Sequence, residues 1–343
     1  MAAHDNLAVK NGLQLRFCDK FIETPFSRSP KSSYNLRAYR QMKRLLAQEQ
    51  YDVILCNTPM GGIVTRLAAK KARKQGTKVI YMAHGFHFFN GSSKKAWLVF
   101  YPIEKYMAKY CDLLITVNEE DYALAKEKFS RCTKVAHIHG VGVDENRYHP
   151  ATPEQQLAMR QAEGLPSDDF VILCTGELNE NKNQKTLISA AALLKDEIPN
   201  LKVLLAGNGP MEQELRDQIR AEGLEDTVKL LGYRTDLERV TPAVDVVVSC
   251  SKREGMPLNI IESMLCGKPV VVSHNRGHDE LVSNHETGYL LSPTDVSGFA
   301  DRIQTLAADE PRRTHMGETA LERVQPYAIG SVREELQRIL IQE

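Results

Sequence analysis

The sequence has no surplus of charge of either sign: 44 Lys and Arg face 44 Asp and Glu, and the formal net charge is zero. Proteins that grip nucleic acid rely on a basic excess to neutralise backbone phosphates. Nucleic acid is therefore not an expected partner, although a local basic patch stays open. A paired-cysteine pattern is missing too. The seven cysteines (Cys18, Cys56, Cys111, Cys132, Cys174, Cys250 and Cys266) are scattered, odd in number and never spaced C-x-x-C. Several lie in apolar runs, where a thiol acts as a small hydrophobe, so a reducing compartment is expected. No apolar run approaches the ~18 residues that span a bilayer. The N-terminus has no basic stretch followed by an apolar one, as a secretory signal would. No metal-ligand spacing occurs, and no metal or other cofactor is expected. These absences together describe a cytoplasmic protein, free or peripheral to a membrane.

What is present is a long alternation. Apolar residues make up 42% and charged residues 26% of 343 positions, ordinary for a soluble enzyme and enough for two α/β domains. Short apolar runs fall at Leu13–Cys18, Asp52–Cys56, Lys78–Met82, Leu113–Val117 and Lys134–His139. They resume at Phe170–Thr175, Lys202–Ala206, Val228–Leu231, Asp245–Cys250, Pro269–Ser273 and Gly288–Leu291. Between them lie helical patterns such as Gly61–Gln75, Asp121–Lys128, Thr186–Lys195 and Met211–Glu222. Unalternating runs separated by helices predict parallel strands buried on both faces, hence two doubly wound Rossmann-like sheets. A polar stretch holding Pro150, Pro153, Gly164 and Pro166 predicts domains over 1–163 and 164–326. An amphipathic helix within 327–343, with no strand after it, is expected to pack back on the first domain.

In open parallel sheets ligands bind at the carboxyl ends of strands. After Phe170–Thr175 comes Gly176-Glu177-Leu178-Asn179-Glu180-Asn181-Lys182-Asn183 and then a helix. Lys182 near that helix start could meet a phosphate, or be a solvated surface lysine, which by itself is the commoner case. Gly207-Asn208-Gly209-Pro210 is no dinucleotide fingerprint, since Glu212 stands where the third glycine belongs. It could equally be a tight turn without a ligand. The sharpest feature is Ser251-Lys252-Arg253-Glu254-Gly255-Met256-Pro257-Leu258-Asn259-Ile260-Ile261-Glu262. Pro257 opens a helix after a flexible glycine, turning backbone amides towards the strand ends. Glu254 and Glu262 could each grip vicinal hydroxyls, one on a hexose and one on a ribose; spacing alone leaves a solvated glutamate and a helical one as the plainer reading.

The second half resembles family-4 glycosyltransferases of the GT-B fold, whose donor site carries two glutamates at the separation of Glu254 and Glu262. Agreement extends to Gly207-Asn208-Gly209-Pro210, Leu231-Gly232-Tyr233, Arg276-Gly277-His278-Asp279-Glu280-Leu281 and Thr287-Gly288-Tyr289-Leu290. Asn57-Thr58-Pro59-Met60-Gly61-Gly62 and Ala83-His84-Gly85-Phe86-His87-Phe88 resemble the exopolysaccharide and capsule branch. The resemblance implies two domains facing a cleft and a retaining transfer without metal. No Asp-x-Asp, the mark of the metal-dependent GT-A alternative, occurs. Lys182 would contact the donor diphosphate, with Gly176, Asn208 and Gly209 in the surrounding turns. Glu254 would hold the transferred sugar with amides of Gly255, Met256, Pro257's neighbours and Leu258. Glu262 would take the ribose, Gly232-Tyr233-Arg234 would border the base, and His84 would lie near sugar and acceptor.

Two departures stand against that pattern. Glu177 occupies the place of a usual arginine, so Arg253, Lys252 or Arg276 must supply the charge or Lys182 must suffice with helix-terminus amides. Met1-Ala2-Ala3-His4 reads as the end of the family's second strand, so its first strand–loop–helix unit is missing from the sequence. The expected donor is a nucleotide sugar, by family habit UDP-linked, carrying a hexose or N-acetylhexosamine. The expected acceptor is a polyprenyl-diphosphate-linked saccharide at the cytoplasmic face of the membrane. Lys94-Lys95-Ala96-Trp97-Leu98-Val99-Phe100-Tyr101 suits a membrane interface, or else packs Trp97 and Phe100 into the core with even weight. A nucleotide-sugar epimerase and an inactive donor-binding partner subunit are the alternatives.

Overall fold

A computed structural model describes residues 1–3, 18–129 and 131–341. The chain divides into two compact units, Met1–Ile138 and His139–Glu343.

In the first unit, strands β1 (Ala2–Ala3) and β2 (Ile22–Glu23) form a small parallel pair. Strands β3 (Val53–Cys56), β4 (Lys78–Ala83), β5 (Leu113–Thr116) and β6 (Lys134–His137) form a parallel sheet in that order. Its helices are α1 (Ser33–Gln48), α2 (Pro59–Ala68), α3 (Lys70–Lys74), α4 (Lys94–Met107) and α5 (Glu119–Lys128). The expected strand at Leu13–Cys18 lies, but for Cys18, outside the described residues, as does His4. The one helix expected over Gly61–Gln75 is two. The backbone turns at Ala69 (φ −76°, ψ −3°), and Arg73 beyond the turn reaches Asp112 at 2.8 Å and the Lys109 carbonyl at 2.8 Å. Asn57-Thr58-Pro59 works as a helix start: the Thr58 hydroxyl accepts from the Gly61 amide at 3.2 Å, and Pro59 takes a position that needs no N–H.

The second unit is a six-stranded, all-parallel sheet. Its strands are β7 (Phe170–Thr175), β8 (Leu201–Ala206), β9 (Val228–Gly232), β10 (Val246–Ser249), β11 (Val270–Ser273) and β12 (Gly288–Leu291), in spatial order β12-β11-β10-β7-β8-β9. Helices α6 (Pro153–Ala162), α7 (Gln184–Leu194), α8 (Glu212–Ala221), α9 (Leu237–Val240) and α10 (Leu258–Leu265) lead into α11 (Arg276–Leu281), α12 (Val296–Ala308), α13 (Glu310–Val324) and α14 (Ile329–Ile341). Every residue of β7, β10 and β11 is buried, the consequence of helices covering both faces. One core layer joins Ile172, Val203 and Val248 to Leu187, Leu215 and Phe299; the other joins Leu173, Val247 and Val272 to Ile261, Met264 and Val324. The strand order reverses between β7 and β10, and that switch point is where an open sheet leaves a crevice at its carboxyl edge. The last helix, α14, is tied down by Glu335, which takes the His139 ring at 2.6 Å and the His139 amide at 3.0 Å. Among the described residues no helix is long and apolar enough to cross a membrane.

Candidate active site

At that switch point the second unit has a cavity of about 420 Å³, lined from the ends of β7, β8 and β10 and the start of α10. Two glycines allow its floor. A Cβ on Gly207, whose φ is +152°, would sit 1.9 Å from the Gly176 carbonyl oxygen, so only glycine lets the β7 and β8 turns touch. Gly209 is needed for the same reason behind the cavity, where a Cβ would lie 2.4 Å from the Leu178 carbonyl oxygen.

Local hydrogen bonds shape the turn after β7. The Asn179 side-chain oxygen accepts the Asn181 amide at 3.0 Å and the Lys182 amide at 2.9 Å, curling the chain before α7. Asn183 adopts the left-handed conformation (φ 56°), and its side chain donates to the Cys250 carbonyl at 3.2 Å and the Pro293 carbonyl at 2.8 Å. Asn181 in turn donates to the Arg253 carbonyl at 2.9 Å, and the Lys252 amide to the Asn181 carbonyl at 2.7 Å. This stitching brings together two residues 72 apart: Lys182 Nζ lies 2.7 Å from Glu254 Oε1, both half-buried and both facing the cavity.

Of the other candidates, Gly176, Asn208, Tyr233, Arg234, Met256, Pro257 and Leu258 also line the cavity. Arg234 is not a free cation. Glu163 holds its guanidinium bidentately at 2.9 and 2.7 Å, and Asp236 adds contacts at 2.7 and 2.9 Å. Gly209, Gly232, Gly255 and Glu262 lie outside the lining. Glu262 sits on α10 beside Tyr148, Arg147 and Glu238, and burial raises its carboxyl to about 7 despite Arg147 and a Tyr148 hydrogen bond. His84 belongs to the first unit, at the end of β4, where its Nε2 is 3.4 Å from Asn57 Oδ1. Although part of its ring reaches solvent, its packed surroundings lower its pKa, favouring neutral imidazole at pH 7.

Several lining residues carry no sequence signal of their own: Thr175, Ala206, Leu237 and Asn259. Asn259 one position inside α10 donates to the Thr175 carbonyl at 3.3 Å, locking helix to strand end. Glu177 lines the cavity as well, its carboxylate held by Asn179 at 2.9 Å. The Arg276–Leu281 stretch acts from behind. A Cβ on Gly277 would come within 2.8 Å of Pro257 and 3.1 Å of the Glu254 Cβ, so α11 presses directly on the Glu254 loop. His278, fully buried, donates from Nδ1 to the Ser273 carbonyl at 2.7 Å, and burial lowers its pKa to about 4, leaving it neutral. Among the described residues, no three or more His, Cys, Asp or Glu side chains gather as a metal site.

Comparison with known proteins gives the class to which this doubly wound sheet and its cavity belong, a glycosyltransferase of the GT-B kind. Residues 155–323 match the family described as "Glycosyl transferases group 1", and residues 6–147 match "Glycosyltransferase Family 4". EpsD of Bacillus subtilis (strain 168), named as a glycosyltransferase, is 41% identical over 88% of this chain and 79% of its own. A UDP-Gal:alpha-D-GlcNAc-diphosphoundecaprenol alpha-1,3-galactosyltransferase of Escherichia coli is 29% identical over 80% of this chain and 71% of its own. The crystal structure of Anabaena HepE with UDP superimposes with a TM-score of 0.78 at 25% identity, covering 94% of this chain and 86% of that one. The chain belongs to this glycosyltransferase family and has its GT-B fold.

Proposed function

We propose that the protein is a retaining glycosyltransferase that moves a hexose or N-acetylhexosamine from a UDP-sugar to a polyprenyl-diphosphate-linked saccharide in surface-polysaccharide synthesis. The observation that carries this reading is the Lys182–Glu254 pair inside the cavity at the carboxyl ends of β7 and β10. In the donor-free protein each charge satisfies the other. An arriving diphosphate competes for Lys182, which frees the Glu254 carboxylate to accept hydroxyls of the sugar. The amides at the start of α10 add fixed positive dipoles where the leaving diphosphate gathers charge. Charge stabilisation by Lys182 and these amides asks for no metal. Glu262 takes the ribose, the Gly232-Tyr233-Arg234 turn borders the base, and Arg234 acts through its backbone because its guanidinium is engaged. His84 serves the acceptor side as a neutral imidazole.

Relatives support the donor and acceptor classes. The Escherichia coli protein's name specifies a UDP-sugar donor, a diphosphoundecaprenol-linked acceptor and an alpha linkage, and HepE has been crystallised with UDP-glucose. In calorimetry and thermal-shift titrations UDP-hexoses should stabilise the wild type. Lys182→Ala should weaken UDP itself, whereas Glu254→Ala should bind UDP normally and lose the increment due to the sugar. Transfer by Glu254→Ala should fall about 10²- to 10³-fold. Activity should survive EDTA, and NMR of the product should show the donor's anomeric configuration. An inverted product, or normal sugar binding in Glu254→Ala, would sink the assignment.

A further inference from the structure

The backbone that carries Glu254 is held from two sides before it reaches the cavity. On one side is Asn181 of the β7 turn. The Lys252 amide donates to its carbonyl at 2.7 Å, and its side chain donates to the Arg253 carbonyl at 2.9 Å. On the other side is Asn275, two residues past β11. Its Nδ2 donates to the Ser251 carbonyl at 2.9 Å, while its Oδ1 accepts the His278 amide at 3.1 Å and caps α11. Three successive residues ahead of Glu254 are therefore fixed by main-chain bonds to two asparagines, and neither asparagine lines the cavity. Asn275 also sets where α11 begins, and Gly277 of α11 leaves only 3.1 Å between a built Cβ and the Glu254 Cβ.

The setting of Asn275 is polar where the sheet is otherwise valine. Strands β10 and β11 each run as three valines and then a serine. Ser249, Ser251, Ser273 and His278 are all buried there. The Ser249 and Ser251 hydroxyls lie 3.2 Å apart, and the Ser273 hydroxyl donates to the Ser251 carbonyl at 2.5 Å. A buried network of this kind adds little net stability over apolar side chains of the same shape, but it holds a single arrangement. What it holds here is the Ser251 carbonyl, which receives both Asn275 and Ser273 at the point where the Glu254 loop leaves the sheet.

We propose that Asn275 is a positioning residue for glycosyl transfer: through the Ser251 carbonyl and the start of α11 it sets the place from which Glu254 reaches the donor sugar. It touches no substrate itself. The inference rests on the reading of Glu254 as the group that holds the transferred sugar.

The test is Asn275→Ser in the full chain. Serine caps a helix about as well as asparagine does, so α11 keeps its start, but the shorter side chain does not reach the Ser251 carbonyl. The probes are UDP and the UDP-hexose that most stabilises the wild type. UDP alone should bind within about twofold of the wild type. The affinity gained from the sugar should shrink, and the turnover of UDP release from that donor should fall about tenfold. In the Glu254→Ala background the same substitution should change UDP release by less than about twofold, because the two residues act in series. Should the serine variant misfold, Asn275→Asp, another good cap that places an oxygen where the carbonyl needs a donor, must show the same split. A lower melting temperature with the sugar increment and UDP release at wild-type values makes Asn275 a cap alone and overturns the proposal. An effect that multiplies fully with that of Glu254→Ala overturns it as well. If Glu254→Ala itself keeps the sugar increment, the reading of Glu254 fails and this inference falls with it; the two failures differ in which single variant is silent.

Discussion

The two units are built on the same parallel α/β plan and each buries a structural ion pair, yet they differ in what a further pair of charges does. In the first, a full ion pair is buried as structure: Arg66, 1% exposed, meets Glu104 at 2.9 Å and lies 3.9 Å over the Tyr81 ring. The second buries Arg160 against Asp245 at 2.6 Å in the same way, and in addition sets a half-buried pair, Lys182 and Glu254, in the lining of its cavity. A buried pair with every partner fixed holds a fold together and has nothing left to offer a ligand. A half-buried pair satisfied only by itself is poised to exchange partners. The difference separates a scaffold from a site.

The largest effect that could break this comparison is Glu104→Gln. Removing one member of a buried pair strands the other charge and costs about 3–5 kcal/mol. Since Trp97 is the only tryptophan and lies in the first unit, its fluorescence follows that unit alone. The fluorescence midpoint in urea should drop, while UDP still protects β7 and β8 amides from hydrogen exchange. Parallel loss of both signals would mean that the units unfold as one.

Next in size is Gly207→Ala. Its Cβ would overlap the Gly176 carbonyl at 1.9 Å, and backbone rather than a flexible side chain would have to yield. We expect a loss of about 2–4 kcal/mol in the second unit, together with weaker UDP binding. The Trp97 signal should be unchanged. A fully stable variant with wild-type affinity would show that the turns relax cheaply and that the glycine floor is not what shapes the cavity.

Much of this was legible in the residues because it depends on local pattern. Buried parallel strands read as unbroken apolar runs, and Phe170–Thr175 and Gly288–Leu291 appear in the fold with those boundaries. The helix expected from Gly61 starts two residues earlier, at Pro59, where Thr58 and Pro59 carry explicit capping chemistry that the apolar pattern alone does not register. The break at Ala69 was not legible either; just beyond it Arg73 meets Asp112, a tertiary contact that no local propensity encodes. In the cavity, Lys182 and Glu254 are singled out through the family resemblance, since by themselves a solvated lysine and a solvated glutamate are the plainer readings. Thr175 and Ala206 cannot be, since a strand's last residue lines a site only through the sheet order, which is a long-range fact. Likewise the engagement of Arg234 by Glu163 depends on α6 running alongside, 71 residues earlier in the chain. Trp97 was ambiguous for the opposite reason: both faces of α4 are apolar, and periodicity alone cannot say which is inside.

The smallest expected effect sharpens the comparison within the second unit, at its other carboxylate. Burial raises Glu262 to about 7, with Glu238 adding to the rise and Arg147 and Tyr148 opposing it. A raised carboxyl pKa means that the folded protein holds a proton the unfolded chain gives up. The sign follows: any stability linked to Glu262 is complete below about pH 4.5 and is lost as pH rises towards 7. Binding should run the other way. If the ionised carboxylate grips the ribose hydroxyls, UDP affinity should rise about tenfold between pH 6 and pH 8, as the ionised fraction grows through a midpoint near 7. Glu262→Gln should bind UDP with a flat profile over that range and should lose less stability than the wild type as pH rises. Lys182→Ala, by contrast, should lower affinity at every pH and keep the slope. A wild-type profile with no inflection near 7 would remove Glu262 from the ribose and leave it a buried acid of the α10 packing.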